Sequence, residues 1–140
     1  MQKDSPHLKI IDEYKKRLCN SLKIVEIKSE KFPKEKKIDF EEKKISQHLN
    51  KSTNVIICDP NGKKITNKDL SNFILENNHF GVNELVFVVG GAFGIHKKIL
   101  SKYTTFSFGE LIWSHSLFRV MLTEQIYRSF CKINGHPYEK

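Results

Sequence analysis

Apolar positions along this 140-residue chain recur at two periods, and their order predicts a fold. Leu8, Ile11, Tyr14 or Lys15, and Leu18 follow Ser5-Pro6 at helical spacing, so residues 1–20 are expected to carry a helix opened by a cap residue and a first-turn proline. Leu22–Ile27 alternates apolar and charged residues and reads as a strand. Residues 28–44 form a lysine-rich run whose apolar members are Phe32, Ile38 and Phe40. The run reads either as a solvated loop or as an arm that contacts phosphates, with a short helix following from Phe40 to Leu49. Asn54–Cys58 is a buried strand by composition, and Asp59-Pro60-Asn61-Gly62 is a turn. Thr66-Asn67-Lys68-Asp69 resembles a capping box and opens a helix that carries Leu70, Phe73 and Ile74 and ends near Asn77-Asn78.

Leu85–Val89 is the stretch around which the rest is expected to be arranged. Its five apolar residues read as a strand buried on both faces, and it runs into Gly90, Gly91 and Gly94. Glycines at that place allow either a tight turn into the next helix or the close approach of a ligand at the carboxyl edge of a sheet. Ile95–Lys102 reads as a short helix and Thr104–Phe108 as a further strand. The longest helix, Ser116–Ile133, is apolar almost all round, which calls for cover on more than one side. A second subunit is the expected cover, and a dimer the expected assembly. Helices and strands alternate along the chain, so the fold class is α/β, a parallel-rich sheet with helices on both faces in a single domain over 1–140.

Charge changes the picture more than length does. Lys+Arg number 24 against 16 Asp+Glu, a net charge of +8, which makes a polyanion such as nucleic acid the first candidate partner; a lysine-rich genome is the plain alternative. Cys19, Cys58 and Cys131 share no Cys-x-x-Cys spacing and read as free thiols in a reducing compartment. The charged amino end carries no signal-peptide pattern and the longest apolar run is Leu85–Val89, so a soluble, cytoplasmic protein with no membrane partner is expected.

Several chemistries find no support. Gly-Gly-x-x-Gly is followed by no Gly-Lys-Ser/Thr and lacks dinucleotide-fingerprint spacing. The six histidines show no metal spacing, so no metal is expected, and no Gly-x-Ser-x-Gly surrounds a serine. What remains is a set of turns expected at one sheet edge: Cys58–Gly62, Gly90-Gly91 and the segment Phe108-Gly109-Glu110-Leu111-Ile112-Trp113. Such turns could hold a small, partly apolar ligand through main-chain groups, with almost no side-chain signature.

Val88-Val89-Gly90-Gly91-Ala92-Phe93-Gly94, Phe106-Ser107-Phe108, Trp113-Ser114-His115, Phe118-Arg119-Val120, Glu124-Gln125-Ile126-Tyr127-Arg128 and Pro137-Tyr138 occur at separations that resemble one bacterial family. It is the family of small SPOUT-class methyltransferases that methylate N3 of a pseudouridine in large-subunit (23S) ribosomal RNA. The resemblance covers nearly the whole chain and is strongest from Asn54 onward. It implies a trefoil knot in the C-terminal third, a homodimer, and S-adenosyl-L-methionine as cofactor, held at Cys58, Gly90, Gly91, Phe108, Gly109, Glu110, Leu111, Ile112 and Trp113. It also implies ribosomal RNA within the ribosome as partner.

The chain departs from the family pattern in places. The usual first strand is expected to be missing, Cys58 stands for Leu, Ser114 for the proline before His115, and Glu139 for a histidine. His115 is the candidate proton acceptor, or else it orients the long helix. Arg119 is a candidate to grip RNA, and Arg128 either does so or pairs with Glu124. Tyr138 either stacks on a nucleobase or docks the tail. Two other readings stand beside the enzyme: an RNA-binding homologue that has lost catalysis, and an unrelated nucleotide-binding α/β protein.

Overall fold

The computed structural model describes residues 5–19, 22–27, 32–49, 54–79, 84–91 and 93–138, and these fall into two compact units. Residues 28–31 of the lysine-rich run, Ala92 and Glu139, all named above, lie outside the described residues.

One unit spans 26–66 and 76–111 and holds a parallel three-stranded sheet in the order β2-β1-β3. The strands are β1 (Asn54–Lys64), β2 (Leu85–Val89) and β3 (Thr104–Ser107). Asn54 pairs with Leu85 and Cys58 with Val89 on one side of β1; Ile56 pairs with Thr104 and Cys58 with Phe106 on the other. Side chains alternate along a strand. Val55 and Ile57 therefore share a face with Val88, and there they pack with Leu49 and Ile99 into a buried cluster lined by Ile45, Val86, Ile95, Leu100 and Tyr103. Leu49 and Ile45 come from α2 (Lys34–Leu49), Ile99 and Leu100 from α4 (Lys97–Lys102). Ile56, Cys58 and Phe106 point to the opposite face and are buried too.

The other unit spans 1–25, 67–75 and 112–140. Here α1 (Pro6–Arg17) packs on α5 (His115–Ile133), together with α3 (Asn67–His79) as far as Leu75. Ile11, Leu18, Leu70, Ile74, Leu122 and Ile126 are buried. The polar groups among them are bonded: Ser71 Oγ donates to Ser129 Oγ at 3.3 Å, Ser129 Oγ to the Gln125 carbonyl at 3.0 Å, and Thr123 Oγ1 to the Arg119 carbonyl at 2.7 Å. No described helix is long and apolar enough to cross a membrane.

The parallel-rich α/β reading holds, with three corrections. Leu22–Ile27 is not a strand: it has no ladder partner among the described residues, and Ile24 and Val25 are exposed. Alternation makes a strand only where a neighbour's backbone can pair. The charge run is not all loop, because α2 begins at Lys34, six residues early. Lys and Glu are good helix formers, Glu35 sits in the first turn, and the Lys37 N–H donates to the Pro33 carbonyl at 2.9 Å. Finally, β2 is an edge strand in which Val88 alone is buried, and the organising strand is β1. A short apolar run reads the same at a centre as at an edge; which one it becomes depends on what pairs with it.

Candidate functional site

Parallel strands end on the same side of a sheet, so the carboxyl ends of β1, β2 and β3 form one edge. Cys58, Gly90 and Phe108 are thereby brought together, across about 10 Å at two strand spacings. The segment Phe108–Trp113 then leads from β3 into α5.

At β1 the predicted turn appears as a register shift. Phe106 faces both Cys58 and Lys63, so Asp59–Gly62 bulges out before the strand resumes. Asp59 Oδ1 accepts from the Asn61 N–H at 2.9 Å, a local turn of the kind Asp favours. Gly62 lies so close to β3 that a Cβ there would meet the Thr105 backbone at 2.7 Å.

Cys58 is buried, and burial pushes its thiol up to about 12. It stays a neutral, weakly polar group, so it contributes surface rather than a nucleophile. The three thiols should separate cleanly by access: an aromatic disulfide reagent titrates exposed Cys19 in the native protein, and Cys58 and Cys131 only after unfolding. Between the ordinary thiol value of 9.0 and about 12, the unfolded chain releases the Cys58 proton and the folded chain does not. Stability therefore falls as pH rises through that window. Rapid labelling of Cys58 at neutral pH would contradict this placement.

The glycine turn after β2 is packed by the protein itself. A Cβ at Gly90 would lie 2.6 Å from Ile95 Cγ1, and one at Gly91 would lie 2.9 Å from Glu41 Oε1. Gly94, at φ +82°, donates its N–H to the Gly91 carbonyl at 3.1 Å and closes the turn. Gly90 is thus required by internal packing, whether or not a ligand also approaches it, whereas at Gly91 the neighbour is the movable end of the Glu41 side chain.

After β3 the situation is the reverse. Gly109 has φ +125° and open space where a side chain would be. Ser107, almost wholly buried, tucks the segment down: its Oγ accepts from the Gly109 N–H at 3.3 Å. Glu110 pairs with Lys64 of the resumed β1. Beyond it Leu111, Ile112 and Trp113 are 73%, 93% and 45% exposed, three large apolar side chains in a row. An uncovered apolar run beside the open space over Gly109 suits a partly apolar ligand.

In the other unit Ser114 takes a role that sequence reading did not give it. Its Oγ accepts from the Leu117 N–H at 3.3 Å and caps α5. Serine is a preferred cap, supplying about 1 kcal/mol relative to alanine. His115, next to it, is the first helical residue and is exposed. Arg119 is half-buried one turn on. Arg128 pairs with Glu124 at 2.7 Å.

Tyr138 docks the tail. Its hydroxyl donates to Glu124 Oε1 at 3.2 Å and lies 3.3 Å from the Tyr14 hydroxyl, while its ring meets Tyr127 edge-on at 4.7 Å. Hydrogen bonding with Tyr14, then burial and the Glu124 charge, hold the Tyr138 phenol above its ordinary value, so it stays protonated. Tyr14 escaped the sequence reading, where it counted only as part of an apolar stripe.

Residues 1–139 match the model of a family described as "Predicted SPOUT methyltransferase". The chain is similar to a ribosomal RNA large subunit methyltransferase H of Clostridium tetani, with 38% identity over 93% of this chain and 88% of that protein. It is 39% identical to the methyltransferase H of Clostridium botulinum strain Langeland and 35% identical to that of Carboxydothermus hydrogenoformans, with the same coverage.

Proposed function

Because the chain belongs to the SPOUT methyltransferase family, we propose that it is a ribosomal RNA methyltransferase that modifies N3 of a pseudouridine in the large subunit. The observation that carries this reading is the likeness, along almost the full length of both chains, to relatives named as ribosomal RNA large subunit methyltransferases. The net charge of +8 fits a polyanionic partner.

In this reading S-adenosylmethionine supplies, when bound, an electrophilic methyl group on a sulfonium. The residues at the sheet edge fit such a group: backbone at Gly90, Gly91 and Gly109, a neutral thiol at Cys58, and apolar surface at Phe108 and Leu111 with Glu110 between them. Their work is orientation, bringing donor carbon and acceptor nitrogen into line. His115 accepts the N3 proton, Arg119 holds RNA, and Tyr138 acts as a positioning residue that fixes the tail to Glu124 and Tyr14. Family membership supports a C-terminal trefoil knot, a homodimer and action on ribosomes in the cytoplasm. The apolar residues on successive sides of α5, including exposed Leu117, agree with a second subunit.

The test is transfer of labelled methyl groups to ribosomes from a strain lacking the modification, beside calorimetry with the donor. Saturable incorporation that fails on ribosomes already modified is the expected result. Donor binding without incorporation would leave an RNA-binding homologue, and no donor binding would overturn the reading.

A further inference from the structure

One surface of the sheet-bearing unit is not used by the reading above. Phe93 stands in the glycine turn with its side chain 46% exposed. A single exposed phenylalanine is ordinary. This one is not alone, because Lys37 Nζ lies 5.5 Å and Lys34 Nζ 5.9 Å from its ring centroid. Those lysines are more than fifty residues away in sequence and reach the ring from the first turn of α2. Among the described residues neither lysine lies within ion-pair distance of a carboxylate. The nearby acids are placed elsewhere: Asp39 pairs with His96 at 3.3 Å, and Glu41 reaches Gly91.

The arrangement is held in place from several sides. His96 accepts the Lys98 N–H through Nδ1 at 3.1 Å and meets Asp39 through Nε2, tying α2 to the start of α4. Leu49 and Ile45 of α2 pack with Ile99, Leu100 and Ile95. These contacts hold α2 beside the start of α4 and Ile95 beside the glycine turn, which carries Phe93 three residues after Gly90.

We propose that Phe93, Lys34 and Lys37 form a platform for one single-stranded nucleotide of the RNA, its base stacked on the exposed ring and its phosphate drawn to the two lysines. An aromatic face binds any base, and a pair of ammonium groups without carboxylate partners among the described residues is completed by a phosphate. The proposal rests on the ribosomal RNA reading and adds to it where RNA is gripped: beside the glycine turn.

Binding of a labelled single-stranded RNA of mixed sequence to the full chain, measured between about 50 and 200 mM salt, tests it. Phe93→Ala should weaken binding by about 5- to 100-fold, with Phe93→Trp restoring it. Lys34→Ala/Lys37→Ala should weaken binding and flatten the log–log salt slope by about 1.4, two contacts at about 0.7 each. Donor affinity should be unchanged in all three variants. RNA affinity unchanged in Phe93→Ala would overturn the platform, as would a loss that tracks donor affinity. So would a shift of Phe93→Ala to a smaller species in light scattering, which would make the ring a contact between two copies. If the variants lose RNA affinity while the wild type methylates no ribosome, the platform stands and the ribosomal RNA reading falls.

Discussion

Replacing Gly90 by valine is expected to reduce methyl incorporation by about 100-fold or more, the scale on which small displacements at a reacting centre act. The position has no room. A Cβ would sit 2.6 Å from Ile95 Cγ1 and 3.3 Å from the Gly94 carbonyl carbon. Ile95 itself leans on the cluster formed by Val55, Ile57 and Val88, so it cannot swing aside without loosening that packing. The strain is relieved more easily by spreading the turn that joins β2 to α4. The fold should survive, since the clash lies at the end of an edge strand. Calorimetry should show donor affinity falling by at least about tenfold, because displaced main-chain groups can no longer meet the ligand together. Wild-type donor affinity in a folded Gly90→Val protein would remove the turn from the site and leave it a packing feature.

The largest stability effect is expected at Ile57. It is fully buried in the central strand, among Leu49, Val55, Val88 and Ile99. Truncation to alanine removes its contacts and leaves a cavity, costing about 3 kcal/mol. For a chain of this size that lowers Tm by about 10 °C, out of a total stability of about 5–15 kcal/mol. Val25→Ala is the control: Val25 is 51% exposed and should change stability by less than about 0.5 kcal/mol. Thermal unfolding of both variants checks the pair, and equal shifts would refute the placement of β1 at the centre.

These two residues show what periodicity can and cannot tell. Val25 and Ile57 both sit in short apolar stretches, and both stretches were expected to be strands. One gained partners on both sides and the other gained none among the described residues. The lysine-rich run shows the opposite error, since its composition concealed a helix that its propensities favoured. At the site, the meeting of Cys58, Gly90 and Phe108 was legible because parallel strands must end together. The cap at Ser114 had a signal, a serine directly before a long helical stripe, that went unused.

The order of residues alone dictates the helix and strand types of the strongly patterned stretches, the places where glycine breaks them, the excess of positive charge and the family resemblance. Each is a property of neighbours along the chain. Packing in three dimensions is what makes β1 central, sets Ile95 and Glu41 in the space beside Gly90 and Gly91, joins Tyr138 to Glu124 and Tyr14, and brings two lysines of α2 to Phe93. Those depend on which distant segments share a surface, and local hydrophobic period carries no information about the partner.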